Sequence, residues 1–165
     1  MINLGLKDIP IQLMSQKVTV DICTKSEWDI IRTYDGSDKA AQRISGMLLD
    51  DGVPLNLCDK KLLVAVYIEL VKKLREKLGL EVPYYPTKKD KEYEVKYTAY
   101  TVTDKLVADY ANMNIYEIDK LPILDYWLLE RDAFIAALSK TKDGRKYLND
   151  AYRIKQEDAD DDLEL

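Results

Sequence analysis

Residues 9–22, IPIQLMSQKVTVDI, alternate apolar and polar positions: Ile9, Ile11 and Leu13, then Val18, Val20 and Ile22. A period of two on both sides of Ser15-Gln16-Lys17 predicts a small β-hairpin or a pair of short strands. Thr24-Lys25-Ser26-Glu27 then has the form of a capping box, in which the first and last residues satisfy each other's free backbone N–H groups. A first helix is expected from Lys25 to about Tyr34, ending near Gly36. Ser37 caps a second, DKAAQRISGMLLD, which stops at Asp51-Gly52. Gly46 inside it marks either a close helix approach or a weak spot costing about 1 kcal/mol relative to Ala.

The strongest helical period lies at 60–78, where Leu63, Val66, Tyr67, Leu70, Leu74 and Leu78 share one face and Gly79 ends the run. Lys72, Lys73, Arg75 and Glu76 fall elsewhere. The next segment, about 80–96, holds two prolines, the pair Tyr84-Tyr85 before Pro86, and a run of charge, and reads as an exposed connector or arm. YTAYTV, 97–102, is expected to be extended before Thr103 caps the helix DKLVADYA. Residues 106–121, LVADYANMNIYEIDKL, outline two short helices around a turn, with Val107, Ala111, Met113, Ile115 and Ile118 packed inward. Pro122 suits the first turn of a long helix, 122–139, carrying an apolar stripe of Leu124, Trp127, Leu128, Phe134, Ile135 and Leu138. Arg131 falls on or beside that stripe, so its stem is expected half-buried and its guanidinium paired with a carboxylate. A terminal helix should bury Tyr147, Leu148, Ala151 and Tyr152. Residues 157–165, EDADDDLEL, carry six acids and read as a disordered tail. The expected fold is mainly α: one domain over 1–156, of about six helices with a short N-terminal β-hairpin.

Charge and composition narrow the chemistry. With 25 Lys and Arg against 30 Asp and Glu, the formal charge is −5, which disfavours a broad phosphate-binding surface. There is no histidine, which removes the usual neutral-pH general base, the Ser-His and Cys-His pairs and the commonest transition-metal ligand. Cys23 and Cys58 lack the close spacing of a zinc or redox pair and are expected as reduced core residues. MINLGLKDIPIQL has no basic region followed by an apolar run, so no signal peptide is expected, and no stretch has the length of a membrane span. These features point to an intracellular protein without catalytic residues, cofactor or metal.

The specific motifs are equally bare. A helix-turn-helix at 106–121 would offer DNA the acids Glu117 and Asp119 against Lys120, which repels phosphate; a packed helical corner is the better reading. Asp158, Asp160 and Asp162 alternate like the start of a calcium loop, but no glycine holds the sixth position and no glutamate the twelfth. YDGSDKAA has one glycine before a capped helix and no phosphate-loop signature. The 12 tyrosines and two tryptophans could stack bases, yet most lie on helical stripes of the kind that form cores.

Residues 103–156 resemble the C-terminal part of small tail assembly chaperones of tailed phages. The matching positions are Ala111-Asn112-Met113 at a turn that favours glycine, Glu117-Ile118 and Leu121 in a short helix, and Asp125-Tyr126-Trp127 through Arg131-Asp132-Ala133-Phe134-Ile135. TKDGRKYLNDAYRIKQ is similar to the ending of such proteins in phages of Gram-positive hosts. The chain departs from the pattern at Asn112, and its first hundred residues lie outside it. The resemblance implies a non-enzymatic helical protein of the host cytoplasm that coats the tape measure protein before the tail tube assembles, with the tail tube protein as a further partner, self-association, and no nucleic acid or membrane. The implied client groove lies beside the 122–139 helix and the 112–116 turn, with Tyr116, Tyr126, Trp127 and Arg131 as partner-binding residues. The competing reading of those four is that they complete the chain's own core. The competing functions are an acidic phage-encoded inhibitor of a host nuclease or nucleic-acid enzyme, and a structural component of the tail.

Overall fold

In a computed structural model, which describes residues 8–49, 53–83 and 99–161, the hairpin pattern becomes β1 (Asp8–Gln12) and β2 (Lys17–Asp21). Seven helices follow among the described residues: α1 (Lys25–Ile31), α2 (Asp38–Leu48), α3 (Leu57–Lys77), α4 (Ala99–Ala111), α5 (Ile115–Ile118), α6 (Ile123–Ser139) and α7 (Lys142–Asp161). The fold is mainly helical with a two-stranded antiparallel sheet at its start, as the pattern predicts. No helix among the described residues is long and apolar enough to cross a membrane. The chain divides into two compact units, one of Met1–Leu80 with Tyr116–Trp127 and one of Glu81–Ile115 with Leu128–Leu165.

In the first unit the pleat turns Ile9, Ile11, Val18 and Val20 to the core and leaves their neighbours exposed. The tip between the strands is not a twist-matched primed turn, which requires positive φ: among the described non-glycine residues only Asn112 has one. Instead the tip is tethered from outside. The fully buried Asp59 carboxylate accepts from the Met14 N–H at 3.0 Å, from the Ser15 hydroxyl and from the Asn56 amide at 3.0 Å. Asp59 sits in the first turn of α3, whose N-cap is Asn56, with the Asp59 N–H donating to its Oδ1 at 2.8 Å. That cap starts α3 at Leu57, three residues before the apolar run begins at 60. Its fully buried line is Leu63, Val64, Tyr67 and Val71, with Val66, Leu70, Leu74 and Leu78 half-buried along the expected stripe.

The Thr24–Glu27 capping box opens α1, and Ser37 caps α2 through the Ala40 N–H at 3.2 Å. Gly79 ends α3 at φ 62, the left-handed region glycine tolerates, whereas α1 stops at Ile31 with Arg32 as its C-cap, short of the expected end near Tyr34, and Gly36, at φ 79, lies in the link before the Ser37 cap. Gly46 has nothing within 4 Å of where a Cβ would sit, so it is a weak spot and not a close approach. Cys58, expected in the core, instead lies exposed in the first turn of α3, while Cys23 is buried as expected. Leu80 is buried, and the remainder of the expected arm from Tyr84 onward, like Asp51-Gly52, lies outside the described residues.

In the second unit, α4 begins at Ala99, so residues 99–102 of YTAYTV are helical and not extended, Tyr97 and Thr98 lie outside the described residues, and Thr103 lies inside the helix rather than capping it. Extending a nucleated helix backwards through Thr and Val costs only about 0.7 kcal/mol or less per residue, which local strand preference does not overcome. Val107 and Ala108 are buried, Ala111 and Met113 half-buried, and Ile115 is exposed, against expectation. The joint of α6 and α7 is tight. Thr141 accepts the Gly144 N–H at 2.9 Å, and the Arg145 guanidinium donates to the Ser139 carbonyl at 2.7 Å, covering an acceptor that the end of α6 leaves open. A Cβ on Gly144 would lie 2.0 Å from the Leu138 carbonyl oxygen. Beyond the joint the Phe134 and Tyr147 rings meet edge to face, centroids 6.3 Å apart. Ala151 is buried and Tyr147 and Leu148 half-buried, but Tyr152 is exposed. α7 runs on to Asp161, so 157–161 continue the helix where the acid run predicts a disordered tail; elongation is cheap once nucleation is complete.

One substitution at two glycines should give opposite signs. Gly46→Ala should stabilise the chain by up to about 1 kcal/mol, whereas Gly144→Ala should destabilise it by about 1–3 kcal/mol through overpacking; urea unfolding of the two variants checks both.

Candidate interaction site

The four residues expected to bind a partner fall in very different environments. Tyr116, in α5, is 76% exposed. Tyr126 and Trp127, in the first turns of α6, are buried at 6% and 5%. Arg131 belongs to the second unit, is 27% exposed at its side chain, and pairs with Asp132, Nε at 3.0 Å and Nη2 at 2.8 Å, as the half-buried, carboxylate-paired reading requires.

Burial of Tyr126 and Trp127 follows from how the chain enters α6. Segment 119–123 runs antiparallel to 23–26 with a bridge between Thr24 and Pro122. The Lys25 N–H donates to the Leu121 carbonyl at 2.8 Å, Ser26 N–H to Asp119 at 3.2 Å, and Ile123 N–H to Cys23 at 2.9 Å. Pro122 therefore precedes α6 instead of occupying its first turn, and the Tyr126 N–H donates back to its carbonyl. Under this strip lies Lys25, only 2% exposed. Its ammonium is 3.0 Å from Asp29, 3.5 Å from Asp119 and 5.5 Å from the centre of the Tyr126 ring. Trp127 meets Trp28 edge to face at 5.2 Å between centroids, and the Arg75 guanidinium stands 4.5 Å from the Trp127 ring centre. Both aromatic residues are thus spent inside the first unit. Nothing in the sequence singles out Lys25, which reads as an ordinary first-turn residue; only the carboxylate four residues on, Asp29, hints at a pair.

The residues left to a partner are the exposed ones. In the first unit these include Met14 and Tyr116, and in the second Tyr110, Ile115 and Tyr152. The first unit also holds a polar cleft of about 280 Å³ lined by Thr19, Asp21, Ile22, Cys23, Thr24, Glu27 and Met47, Leu48 and Leu49. Cys23 forms part of its wall, but burial pushes that thiol up from 9.0 to about 12, with the Tyr67 hydroxyl beside it opposing part of the shift. It stays protonated near neutral pH. Tyr67, also desolvated, is pushed further above its ordinary value; its hydroxyl donates to the Asp21 carbonyl at 3.0 Å and accepts from the Cys23 N–H at 2.8 Å. Among the described residues no group of three or more Cys, Asp or Glu side chains is arranged to hold a metal ion. Comparison with protein-family models, with curated proteins and with solved structures returns no match.

Trp127→Ala should cost about 3–5 kcal/mol, the range for emptying a buried tryptophan site, measured by thermal or urea unfolding. Burial makes the Cys23 thiol a weaker acid in the native chain than in the unfolded one. Between pH 9 and 12 the unfolded chain has released a proton the native chain retains, so native stability should fall progressively across that interval. Thiol labelling at pH 8 should modify Cys58 rapidly and Cys23 only on unfolding.

Proposed function

We propose that this chain is a non-enzymatic phage tail assembly chaperone that binds the tape measure protein in the host cytoplasm during tail morphogenesis. The observation that supports this reading is what the residues shared with that family do locally. Asn112, where the pattern favours glycine, adopts φ 53, a conformation that glycine and asparagine tolerate and most residues do not. Thr141, Gly144 and Arg145 build the α6–α7 joint through a cap, a close approach and a covered carbonyl. The shared positions thus serve backbone geometry, the requirement of a scaffold for binding another protein rather than of a reaction. Tyr116 is the client anchor in this reading, a largely exposed side chain of a type enriched at binding hot spots.

The test is affinity purification of the tagged chain from phage-infected cells with identification of what co-purifies. A long, helix-rich phage protein in excess over other species is the expected result. Tyr116→Ala should reduce its recovery at least about tenfold, a hot-spot loss, with stability changed by no more than about 0.5 kcal/mol. Recovery of a host nuclease or nucleic-acid enzyme would replace this reading with the inhibitor, and retention of the chain in purified particles would replace it with a structural tail component.

A further inference from the structure

The hairpin has two outer edges, and they differ. Its register pairs Asp8 with Asp21, Ile9 with Val20, Pro10 with Thr19, Ile11 with Val18 and Gln12 with Lys17. The Leu13 N–H donates to the Gln16 carbonyl at 2.9 Å, which fixes the parity of the ladder. Ile11 with Val18 and Ile9 with Val20 exchange hydrogen bonds, while the other three pairs direct their backbone groups outward. Pro10 fits that parity, having no N–H, and for the same reason leaves the β1 edge short of a donor.

The β2 edge keeps all of its outward N–H groups, and of its outward carbonyls that of Asp21 already accepts one hydrogen bond, from the Tyr67 hydroxyl, which leaves its second lone pair. Lys17, Thr19 and Asp21 are exposed, and among the described residues no third strand pairs with them. At the far end of the strand the Tyr67 hydroxyl bridges the Asp21 carbonyl and the Cys23 N–H, doing there what a neighbouring strand would do. Thr19 and Asp21 line the cleft whose other residues include Met47, Leu48 and Leu49, so the edge opens onto space.

We propose that β2 pairs antiparallel, centred on Thr19, with β2 of a second copy of this chain, joining two hairpins into one four-stranded sheet across a two-fold axis. The strand Lys17-Val18-Thr19-Val20-Asp21 is complementary to its own reverse. Thr19 meets Thr19 of the second copy and exchanges both backbone hydrogen bonds with it. Lys17 stands opposite the second copy's Asp21 on the exposed face, and Val18 opposite its Val20 on the core face, both favourable cross-strand pairs. Charged side chains on an edge commonly prevent pairing with foreign strands. A cation and an anion placed symmetrically about the centre lose that protective effect against an identical strand. The contact is isologous and closes at two copies. It does not depend on the client reading above.

Sedimentation velocity of the full chain over a concentration series tests this, with Lys17→Asp, Asp21→Lys and the double swap. The unmodified chain should show a concentration-dependent dimer. Each single variant sets like charges opposite one another and should weaken it by about tenfold or more; the double swap should restore it. Hydrogen exchange on the unmodified chain gives a reading that needs no variant: the Thr19 amide should become protected as concentration rises. A chain that stays monomeric, a dimer indifferent to both single swaps, a double swap that fails to restore association, or a Thr19 amide whose exchange ignores concentration would each overturn the proposal. So would protection of that amide in a monomer on adding an extended basic peptide, which would assign the edge to a foreign strand.

Discussion

The first amides of α1 must find acceptors, and the way they do so shapes the first unit. A helix leaves its leading N–H groups without intrahelical partners. Here Thr24 serves Glu27, while the carbonyls of Leu121 and Asp119, from a segment almost a hundred residues away in sequence, serve Lys25 and Ser26. Helix α1 therefore starts properly only when 119–123 lies alongside it. The same alignment buries the Lys25 ammonium between Asp29, Asp119 and the Tyr126 ring. A buried charge of this kind costs several kcal/mol in lost hydration, offset only while its counter-charges remain in place. Local helix capping and long-range closure are thereby one requirement, and the entry of α6 with Trp127 against Trp28 is its consequence.

A similar logic holds the hairpin. Its tip lacks residues with the positive φ that would match the strand twist, and an isolated two-stranded hairpin is marginal in water. Asp59 supplies from α3 what the tip does not contain, fixing Met14 and Ser15 while its own backbone is fixed by Asn56. The apolar face of Ile9, Ile11, Val18 and Val20 then has a defined position over α3. Buried polar groups, few in number, decide where the apolar elements of this unit sit.

In the second unit the sequence TKDGRKYL has a purely geometric explanation. Thr141 caps, Gly144 admits the Leu138 carbonyl, Arg145 covers the end of α6, and Tyr147 meets Phe134. Thr141, Gly144, Arg145 and Tyr147 are each of a type that their place in the joint calls for.

Local signals are legible in the sequence itself. The period-two strands, the Thr24–Glu27 box, the Ser37 cap, the stop at Gly79 and the half-buried, paired state of Arg131 depend on neighbours a few residues apart, and such neighbours are written consecutively. The starts of α3 and α4 depart from the pattern because a cap at Asn56 and the cheap extension of a nucleated helix outweigh apolar period and strand preference. The exposure of Cys58, Ile115 and Tyr152 and the burial of Tyr126 and Lys25 are not legible there, since they turn on which distant segment covers a given face. Lys25 is the clearest case: its sequence context is that of any solvated first-turn lysine, and its burial exists only because the carbonyls and carboxylate of 119–121 return to it. By itself the sequence determined the hairpin, the caps of α1 and α2 and the middle of each long helix, through interactions within one or two turns. Tertiary structure alone decided which of four candidate contact residues remain available, because exposure is a property of the closed chain and not of the residue.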